Sequence, residues 1–343
     1  MAALSVSQLS MSWLALLSYL DKSGLKNGLA LIGFLWAANV SIKFACNFLV
    51  GLRIHVLSQL TKRKDLALKY GGKWAVVTGA SEGIGKAFAC ELARTGMNIV
   101  LMSRSTQKLE KVAEAIEKEF KVQTRIIQVD FGLQDVYANI SSSLEGLEIG
   151  ILVNNVGVMY DYPQYFLDVP DKKLYDLINV NMTSVIMSNM GDNQQHFAFQ
   201  MTCIVLPHMC KRKRGAIINM SSSAGLLPTP QIAAYAATKE FVDSFSRALA
   251  YEYSSQGVKV QSLRPFYIAT AMTYGTKPNV FVPSPETYVK NALRTLELST
   301  RNTGYWNHEI QAWFLGFCPE WLWMWAGSIL NQQIRRNVLK TRR

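Results

Sequence analysis

The chain has 343 residues and is 49% hydrophobic, so it can form one large domain or two small ones with a packed core. Its net charge of +12 lies in its two ends, because residues 1–73 carry nine basic and two acidic residues, residues 331–343 carry five basic and none acidic, and the rest balances to zero. A neutral centre argues against nucleic acid as a partner, whereas basic ends beside apolar runs are typical of proteins on anionic membranes.

The N-terminal segment contains a candidate membrane anchor. Residues 29–52 are apolar apart from Lys43, and the basic cluster of residues 62–64 follows them. The whole run is long enough to span a bilayer, and if it does, the basic cluster places the following domain in the cytosol. The uninterrupted part, residues 29–42, is shorter, so an interfacial helix and the core helix of a soluble protein stay open as alternatives.

From Lys73 onward, strand-like and helix-like segments alternate. Helices are predicted at residues 83–95 and 106–120. The predicted strands are residues 73–77, 98–102, 125–129, 149–153, 215–220 and 258–263. This alternation predicts an α/β fold, a doubly wound parallel sheet of Rossmann type, with the ligand crevice at the carboxyl ends of the strands.

The C-terminal segment is rich in tryptophan, with five among residues 306–325. Such a density is typical of a membrane interface, and Pro319 and Glu320 argue against one simple span. We therefore expect a half-inserted helical hairpin, with a helix pair packed on the core as the alternative. The sequence thus divides into an anchor with a basic linker (residues 1–72), a central domain (73–303) and an aromatic tail with a basic end (304–343).

A glycine-rich turn, Thr78–Gly85, follows the first predicted strand and precedes a helix. In this context backbone N–H groups and the positive end of a helix bind a pyrophosphate. Gly79 allows the tight turn, Gly83 allows close approach of the cofactor and Gly85 allows the helix to pack on the strand. The cofactor-binding candidates of the turn are Gly79, Ser81, Gly83, Ile84 and Gly85.

The end of the second predicted strand indicates which nicotinamide cofactor binds. The 2′-hydroxyl of NAD(H) is bound by an acidic residue at this point, but the chain reads Ser103-Arg104. A guanidinium can bind a 2′-phosphate in bidentate fashion, so the sequence favours NADP(H). The alternative is that Arg104 is an ordinary surface residue.

Three side chains between residues 222 and 239 could meet at one carbonyl group. Tyr235 and Lys239 are four residues apart in a predicted helix, so they share a face; taken alone, such a pair is usually a surface pair. We expect the Lys239 ammonium to lower the pKa of Tyr235 from about 10 and make the phenol a competent proton donor. Ser222 ends a strand-like run and could hold the substrate oxygen. Five cysteines without C-x-x-C spacing and four scattered histidines indicate no metal site.

Together with the run Asn154–Gly157, these motifs resemble the classical short-chain dehydrogenases/reductases over roughly residues 73–300. Five further stretches resemble a membrane-bound branch of that family, namely residues 148–157, 162–170, 205–209, 238–249 and 257–270. This branch contains the very-long-chain 3-oxoacyl-CoA reductases (17β-hydroxysteroid dehydrogenase type 12) and the hydroxysteroid dehydrogenase-like proteins. The resemblance implies that Tyr235 donates a proton, Lys239 also holds the nicotinamide ribose, Ser222 steadies the carbonyl and Asn181 positions a water. It further implies that the cofactor site includes Asp130 and Asn154 on the adenine side, Gly157, and Thr270 near the carboxamide.

Two departures from the family pattern affect this interpretation. Members of the second group that are named inactive have lost the tyrosine that this chain keeps as Tyr235. Residues 188–200 form an insertion after Asn181, in a helix through which family members usually form a homodimer, so the insertion could block that partner. It could be a looped-out excursion, a defect in dimerisation or catalysis, or a variant transcript or mistaken gene model.

The resemblance implies a membrane-bound, NADPH-dependent reductase of a lipophilic ketone, either a long-chain 3-oxoacyl-CoA of fatty-acid elongation or a 17-ketosteroid. The expected location is the endoplasmic reticulum membrane with the catalytic domain facing the cytosol, and the mitochondrion is the alternative. A non-catalytic membrane protein that retains the NADP-binding fold and a soluble dehydrogenase are the alternative functions. No residue pattern separates an acyl-CoA from a steroid as the substrate.

Overall fold

The computed structural model describes residues 25–57, 66–133, 135–185, 201–273 and 276–341. The chain divides into two units, residues 1–53 and 54–343. This division falls before the predicted boundary at residue 73, because Ile54, His55 and Tyr70 are already buried. The predicted tail, residues 304–343, belongs to the second unit. The insertion at residues 188–200 lies outside the described residues.

The described part of the first unit is one long helix, α1 (Leu25–Leu52), and a π-helical turn at Arg53–Leu57 follows it. Residues 26–56 are long and apolar enough to cross a membrane, and their apolar window is not buried. A helix of 28 residues is about 42 Å long, which exceeds the hydrocarbon thickness of a bilayer. The helix continues through Lys43 without a break.

The second unit is built on a parallel sheet whose strand order is β3-β2-β1-β4-β5-β6-β7. Its strands are β1 (Trp74–Thr78), β2 (Asn98–Ser103), β3 (Thr124–Gln128), β4 (Ile149–Asn154), β5 (Gly215–Met220), β6 (Val258–Leu263) and β7 (Arg301–Asn302). The predicted doubly wound parallel sheet is therefore confirmed. The sequence pattern did not predict β7, which is two residues long.

Helices cover both faces of this sheet. They are α2 (Leu66–Tyr70), α3 (Gly83–Ala93), α4 (Thr106–Phe120), α5 (Tyr137–Leu144), α6 (Asp171–Ile178), α7 (Met201–Arg212), α8 (Ala233–Tyr253), α9 (Pro285–Thr295), α10 (Trp306–Leu315) and α11 (Glu320–Thr341). Alternate residues of a strand point to opposite faces, so Ala75 and Val77 pack in one core layer with α3, α4 and α9. Val76 packs in the other layer with α5, α7 and α8.

The tail is attached to this unit through α10. His308 is fully buried on α10, and its ring packs against the rings of Phe266, Tyr288 and Tyr305. On the next residue, the Glu309 carboxylate accepts hydrogen bonds from the backbone N–H and the hydroxyl of Thr303. Helix α10 is thus part of the packed second unit.

Candidate active site

A cavity of about 1030 Å³ opens at the carboxyl ends of the strands. Its walls include residues within two positions of the ends of β1, β2, β4, β5 and β6, namely Gly79, Arg104, Asn155, Ser221 and Pro265. The strand order reverses between β1 and β4, which is where an open parallel sheet forms a crevice. The cavity therefore lies where the alternating pattern of the sequence predicted it.

The glycine turn forms one wall of the cavity, and its backbone needs glycine. Gly79 and Gly83 have φ angles of +67° and +56°, in the left-handed region that side chains disfavour. A Cβ on Gly85 would overlap the backbone carbonyl of Gly79 and lie 2.6 Å from the side-chain nitrogen of Asn155, so the turn could not pack this closely against α3 with any other residue. The turn thus presents bare backbone to the cavity, as a pyrophosphate requires.

Asn155 fastens this turn to the end of β4. Its backbone N–H donates to the hydroxyl of Thr78 over 2.9 Å, and its side-chain amide donates to the Thr78 carbonyl over 3.0 Å. Asn155 was not among the predicted site residues, although it follows Asn154 directly. Its position after a buried strand and opposite the turn is the signal that could have indicated it.

Asn154 does not have the predicted role. Its amide donates to the Thr202 hydroxyl over 3.2 Å and to the Asn219 side-chain oxygen over 2.8 Å, and the residue is buried. Thr202 lies on α7. Neighbouring residues of an extended strand point to opposite faces of the sheet, so Asn154 points towards α7 while Asn155 points towards the glycine turn. Asn154 therefore braces β4 and β5 instead of lining the adenine side.

Asn181 lies in a π-helical turn, Asn179–Thr183, and its side chain makes three hydrogen bonds to other protein groups. Its amide nitrogen donates to the Val158 carbonyl over 2.9 Å and to the Thr238 hydroxyl over 3.1 Å. Its side-chain oxygen accepts from the Val158 N–H over 2.8 Å. The side chain therefore joins the chain after β4 to α8, and the predicted water-positioning role stays a prediction.

Ser222, Tyr235 and Lys239 meet at the end of β5 and line the cavity together. Ser222 has an extended backbone that begins a short 3₁₀ turn, and its hydroxyl contacts the phenol of Tyr235 through a hydrogen bond. The Lys239 ammonium donates to the Met220 carbonyl over 3.0 Å and lies 5.8 Å from the centre of the Tyr235 ring. The structure thus brings together the three side chains that the sequence analysis grouped.

The predicted pKa of Tyr235 is wrong in direction. Burial raises the pKa of Tyr235 above its usual 10.0, and the hydrogen bond from Ser222 offsets this only in part. Burial also lowers the pKa of Lys239 from 10.5 to about 8. Sequence spacing showed that the two groups are neighbours, but burial disfavours both charged forms and decides the direction. The raised pKa keeps the Tyr235 phenol protonated near neutral pH, so it remains a proton donor.

Comparison with known proteins places this site in a family. A family model described as short chain dehydrogenase matches residues 73–280. The chain belongs to the short-chain dehydrogenase family. The matched range holds the glycine turn, Ser222, Tyr235 and Lys239, which are the residues on which the predicted resemblance depended.

Two kinds of curated relative are similar to this short-chain dehydrogenase. The inactive hydroxysteroid dehydrogenase-like protein 1 of Homo sapiens is 46% identical over 316 residues, which cover 91% of this chain and 92% of the relative. The very-long-chain 3-oxoacyl-CoA reductase of Homo sapiens is 46% identical over 271 residues, which cover 78% and 83%. A protein of Gallus gallus that is 42% identical over 316 residues, 91% of each chain, is named hydroxysteroid dehydrogenase-like protein 1 without the word inactive.

Two solved structures that are similar to this chain are named with a bound cofactor. A short-chain dehydrogenase from Sphingobium yanoikuyae in complex with NADPH is 28% identical, with a TM-score of 0.57 over 67% of this chain and 86% of that chain. A metagenomic short-chain oxidoreductase in complex with NADP is 26% identical, with a TM-score of 0.53 over 66% and 90%. Both neighbours are named with the cofactor that the sequence predicts for this chain, NADP(H).

The residues at the adenine end of the cavity fit the 2′-phosphate of NADP(H). Arg104 is exposed and lines this end, as predicted, and Asp130 lies beside it with a side-chain oxygen that accepts from the Gly132 N–H over 2.9 Å. The buried Ser103 hydroxyl lines the same wall and has no hydrogen-bond partner among the described residues. An unpartnered hydroxyl beside a guanidinium suits a phosphate oxygen.

A second cation, which the sequence analysis did not identify, lies at this end. The Lys108 ammonium is 2.7 Å from a carboxylate oxygen of Glu82, and both residues line the cavity. Lys108 is on the first turn of α4, and Glu82 is in the glycine turn, so the pair joins the two walls of the adenine end. Both side chains are exposed, so the pair contributes little stability.

Residues that follow β6 form another wall of the cavity, and His308 contacts this part of the chain at two points. The imidazole of His308 accepts from the Phe266 N–H over 3.3 Å, and its other nitrogen lies 3.1 Å from the Phe281 carbonyl. Burial lowers the pKa of His308 to about 4, so the ring is neutral and can accept one bond and donate the other. Thr270, the predicted carboxamide neighbour, lines the cavity within this segment and faces Gly83.

Proposed function

We propose that this short-chain dehydrogenase is a membrane-bound, NADPH-dependent reductase of a lipophilic ketone. The observation that carries the proposal is the set of Ser222, Tyr235 and Lys239 in the same cavity as the glycine turn. A long-chain 3-oxoacyl-CoA is the leading substrate, supported by the name of the relatives that are 46% identical, and a 17-ketosteroid is the second.

Each of the three side chains has a separate role in the proposed reduction. When bound, NADPH would supply a hydride to the carbonyl carbon. The Tyr235 phenol, kept protonated by burial, gives its proton to the carbonyl oxygen and completes the alcohol. The Ser222 hydroxyl, which is hydrogen-bonded to that phenol, orients the carbonyl group. The Lys239 cation stabilises the Tyr235 phenolate that remains after proton transfer.

The membrane location rests on two apolar surfaces, each taken within its own unit. Helix α1 exposes large apolar side chains along its length, among them Leu35, Trp36 and Phe48. The second unit exposes Trp321 and Trp325 of α11, of which 67% and 62% are accessible. Exposed tryptophans of this kind suit a bilayer interface. We place the protein at the endoplasmic reticulum membrane with the second unit in the cytosol, and the mitochondrion is the alternative.

The second candidate function is non-catalytic binding of NADP(H) within the same fold. Relatives that are 46% identical over 91% of this chain are named inactive, which favours this candidate. The intact set of Ser222, Tyr235 and Lys239 favours catalysis. The insertion at residues 188–200 could silence the enzyme or its homodimer, so it has to be part of the test.

The test is NADPH oxidation by the purified, detergent-solubilised protein with a long-chain 3-oxoacyl-CoA and, separately, a 17-ketosteroid. The parent, Tyr235→Phe and a chain without residues 188–200 are compared. Turnover by the parent but not by Tyr235→Phe supports the reductase, and the preferred ketone identifies the substrate class. Turnover by the shortened chain alone makes this form a silenced one, and NADPH binding without any turnover supports the non-catalytic candidate.

A further inference from the structure

Helix α11 contributes one face to the cavity, although the sequence analysis assigned this segment to the membrane. The cavity-lining residues of α11 are Trp323, Gly327, Leu330, Asn331 and Ile334. Their spacing of three and four residues puts them on one face of a helix. The opposite face carries the exposed Trp321 and Trp325. The same helix is therefore both a wall of the cavity and an exposed apolar surface.

Side-chain hydrogen bonds fix this wall to the loop before α8. The Trp323 indole N–H donates to the Thr229 hydroxyl over 3.3 Å, and the Asn331 amide donates to the Pro230 carbonyl over 2.8 Å. Gln231 donates to the hydroxyl of Ser328 over 3.0 Å. This loop leads directly into α8 and Tyr235, so the position of α11 is set relative to the catalytic end.

A second set of contacts fixes the C-terminal half of α11 to the segment before α6. The Arg335 guanidinium lies 2.9 Å from a carboxylate oxygen of Asp168 and 5.2 Å from the centre of the Tyr165 ring. Gln332 donates to the Tyr165 hydroxyl over 3.3 Å. With both halves held, α11 is a fixed boundary of the cavity.

Gly327 is the position on this boundary where space is left open. A Cβ built on Gly327 meets no atom within 4 Å, so packing does not require glycine there. Glycine inside a helix costs about 1 kcal/mol relative to alanine, so the position is not optimised for helix stability. Trp323 and Asn331 lie one turn before and after it on the cavity face, so a larger side chain would project into the cavity.

The side chains that line the cavity around Gly327 are mostly apolar. Trp323, Leu330 and Ile334 line the cavity from α11, and Pro163 and Ile232 line it from the loops that precede α6 and α8. The amide of Asn331 is already bonded to the Pro230 carbonyl. Such a surface binds a hydrocarbon chain and offers little to a charged or strongly polar group.

We propose that Gly327 on α11 sets the length of the hydrocarbon chain that the substrate cavity admits. The inference rests on the proposed function for the identity of the reacting ketone and adds the residue that determines chain-length specificity. A substrate whose carbonyl reaches Tyr235 extends its chain past Gly327, and only a short chain ends before it.

The test compares substitutions that fill the cavity with substitutions that do not. Gly327→Leu and Gly327→Trp lower kcat/KM for a long-chain 3-oxoacyl-CoA by about tenfold or more relative to a short-chain one. Gly327→Ala retains the parental ratio. Ala326→Leu is the matched control, because Ala326 is exposed and adjacent on the same helix but does not line the cavity. Equal losses for both chain lengths, or the same loss in Ala326→Leu, overturn the proposal.

A binding measurement separates this proposal from the proposed function. The fluorescent fatty acid cis-parinaric acid is titrated into the full chain and each variant, with thermal unfolding as the check that the variants are folded. We expect Gly327→Trp to weaken its binding by about tenfold or more and Ala326→Leu to leave it unchanged. If no ketone is turned over but this difference is observed, the reductase proposal fails and the role of Gly327 stands. If the parent does not bind the probe, or all variants bind it equally, the role of Gly327 is refuted.

Discussion

Replacing Lys239 by methionine should stabilise the protein while removing a catalytic group. Burial lowers the pKa of Lys239 from 10.5 to about 8, which means that the folded state disfavours the ammonium. The corresponding free energy is about 3 kcal/mol at any pH below the folded pKa, because each pKa unit is worth 1.36 kcal/mol. Methionine has a similar length and no charge, but it leaves the Met220 carbonyl without the Lys239 donor, at a cost of about 1 kcal/mol.

The net gain for Lys239→Met is therefore about 2 kcal/mol at pH 7. Between pH 8 and 10.5 the unfolded chain binds a proton that the folded chain has released, so the stability of the parent rises with pH across this window. The advantage of Lys239→Met should accordingly shrink towards pH 10. The sign of the pH effect follows from the lowered pKa and does not depend on its exact size.

The assay is urea unfolding of the full chain in detergent, without cofactor, at pH 7 and pH 10. Lys290→Met is the matched control, because Lys290 is exposed on α9 and its replacement removes one ammonium from the protein surface. A Lys239→Met variant that is as stable as the parent or less stable at pH 7 would refute the reasoning. It would mean that the ammonium is not held in a desolvated site.

Three further results are expected. Arg104→Ala should lower kcat/KM for NADPH by about tenfold or more and leave the value for NADH nearly unchanged, since only NADPH carries the 2′-phosphate; equal losses would contradict the assignment. Gly85→Ala should weaken NADPH binding by about tenfold or more, measured by fluorescence titration, because its Cβ would lie 2.6 Å from the Asn155 amide; unchanged binding would contradict the close packing. Acid should destabilise the protein through His308, because the pKa of its imidazole is about 4 in the folded state and 6.5 in the unfolded state. The unfolded chain therefore binds a proton first as the pH falls, and about 2 kcal/mol of the free energy of unfolding is lost between pH 7 and pH 5. In urea unfolding, His308→Gln should lose less stability than the parent over this range.

The sheet and the catalytic set could be predicted because they depend on local patterns. Alternating apolar runs specified six strands, and a spacing of four on a helix put Tyr235 and Lys239 on one face. The short strand β7 could not be predicted, since its two residues pair only because β6 lies beside them. The roles of Asn154 and Asn155 could not be predicted either. Neighbouring residues at the end of a strand point to opposite faces, and only the tertiary structure shows which of the two contacts the glycine turn.

The properties that depend on burial were harder to predict. The spacing of Tyr235 and Lys239 suggested an ammonium that lowers the phenol pKa, but desolvation acts on both groups and raises it. In the tail, exposed aromatic residues suit a membrane, yet the opposite face of α11 lines the cavity. Composition described one face of that helix and gave no information on what the other face contacts.

The most direct test of the central claim is the transfer of deuterium into the product from NADPH that carries deuterium at both hydrogen positions of the nicotinamide C4. The full chain is incubated with labelled NADPH and a long-chain 3-oxoacyl-CoA, and the hydroxyacyl product is analysed by mass spectrometry. We expect a deuterated alcohol from the parent and at least about a hundredfold less from Tyr235→Phe, with NADPH binding retained. Unlabelled product from the parent, no product at all, or equal product from Tyr235→Phe would contradict the account.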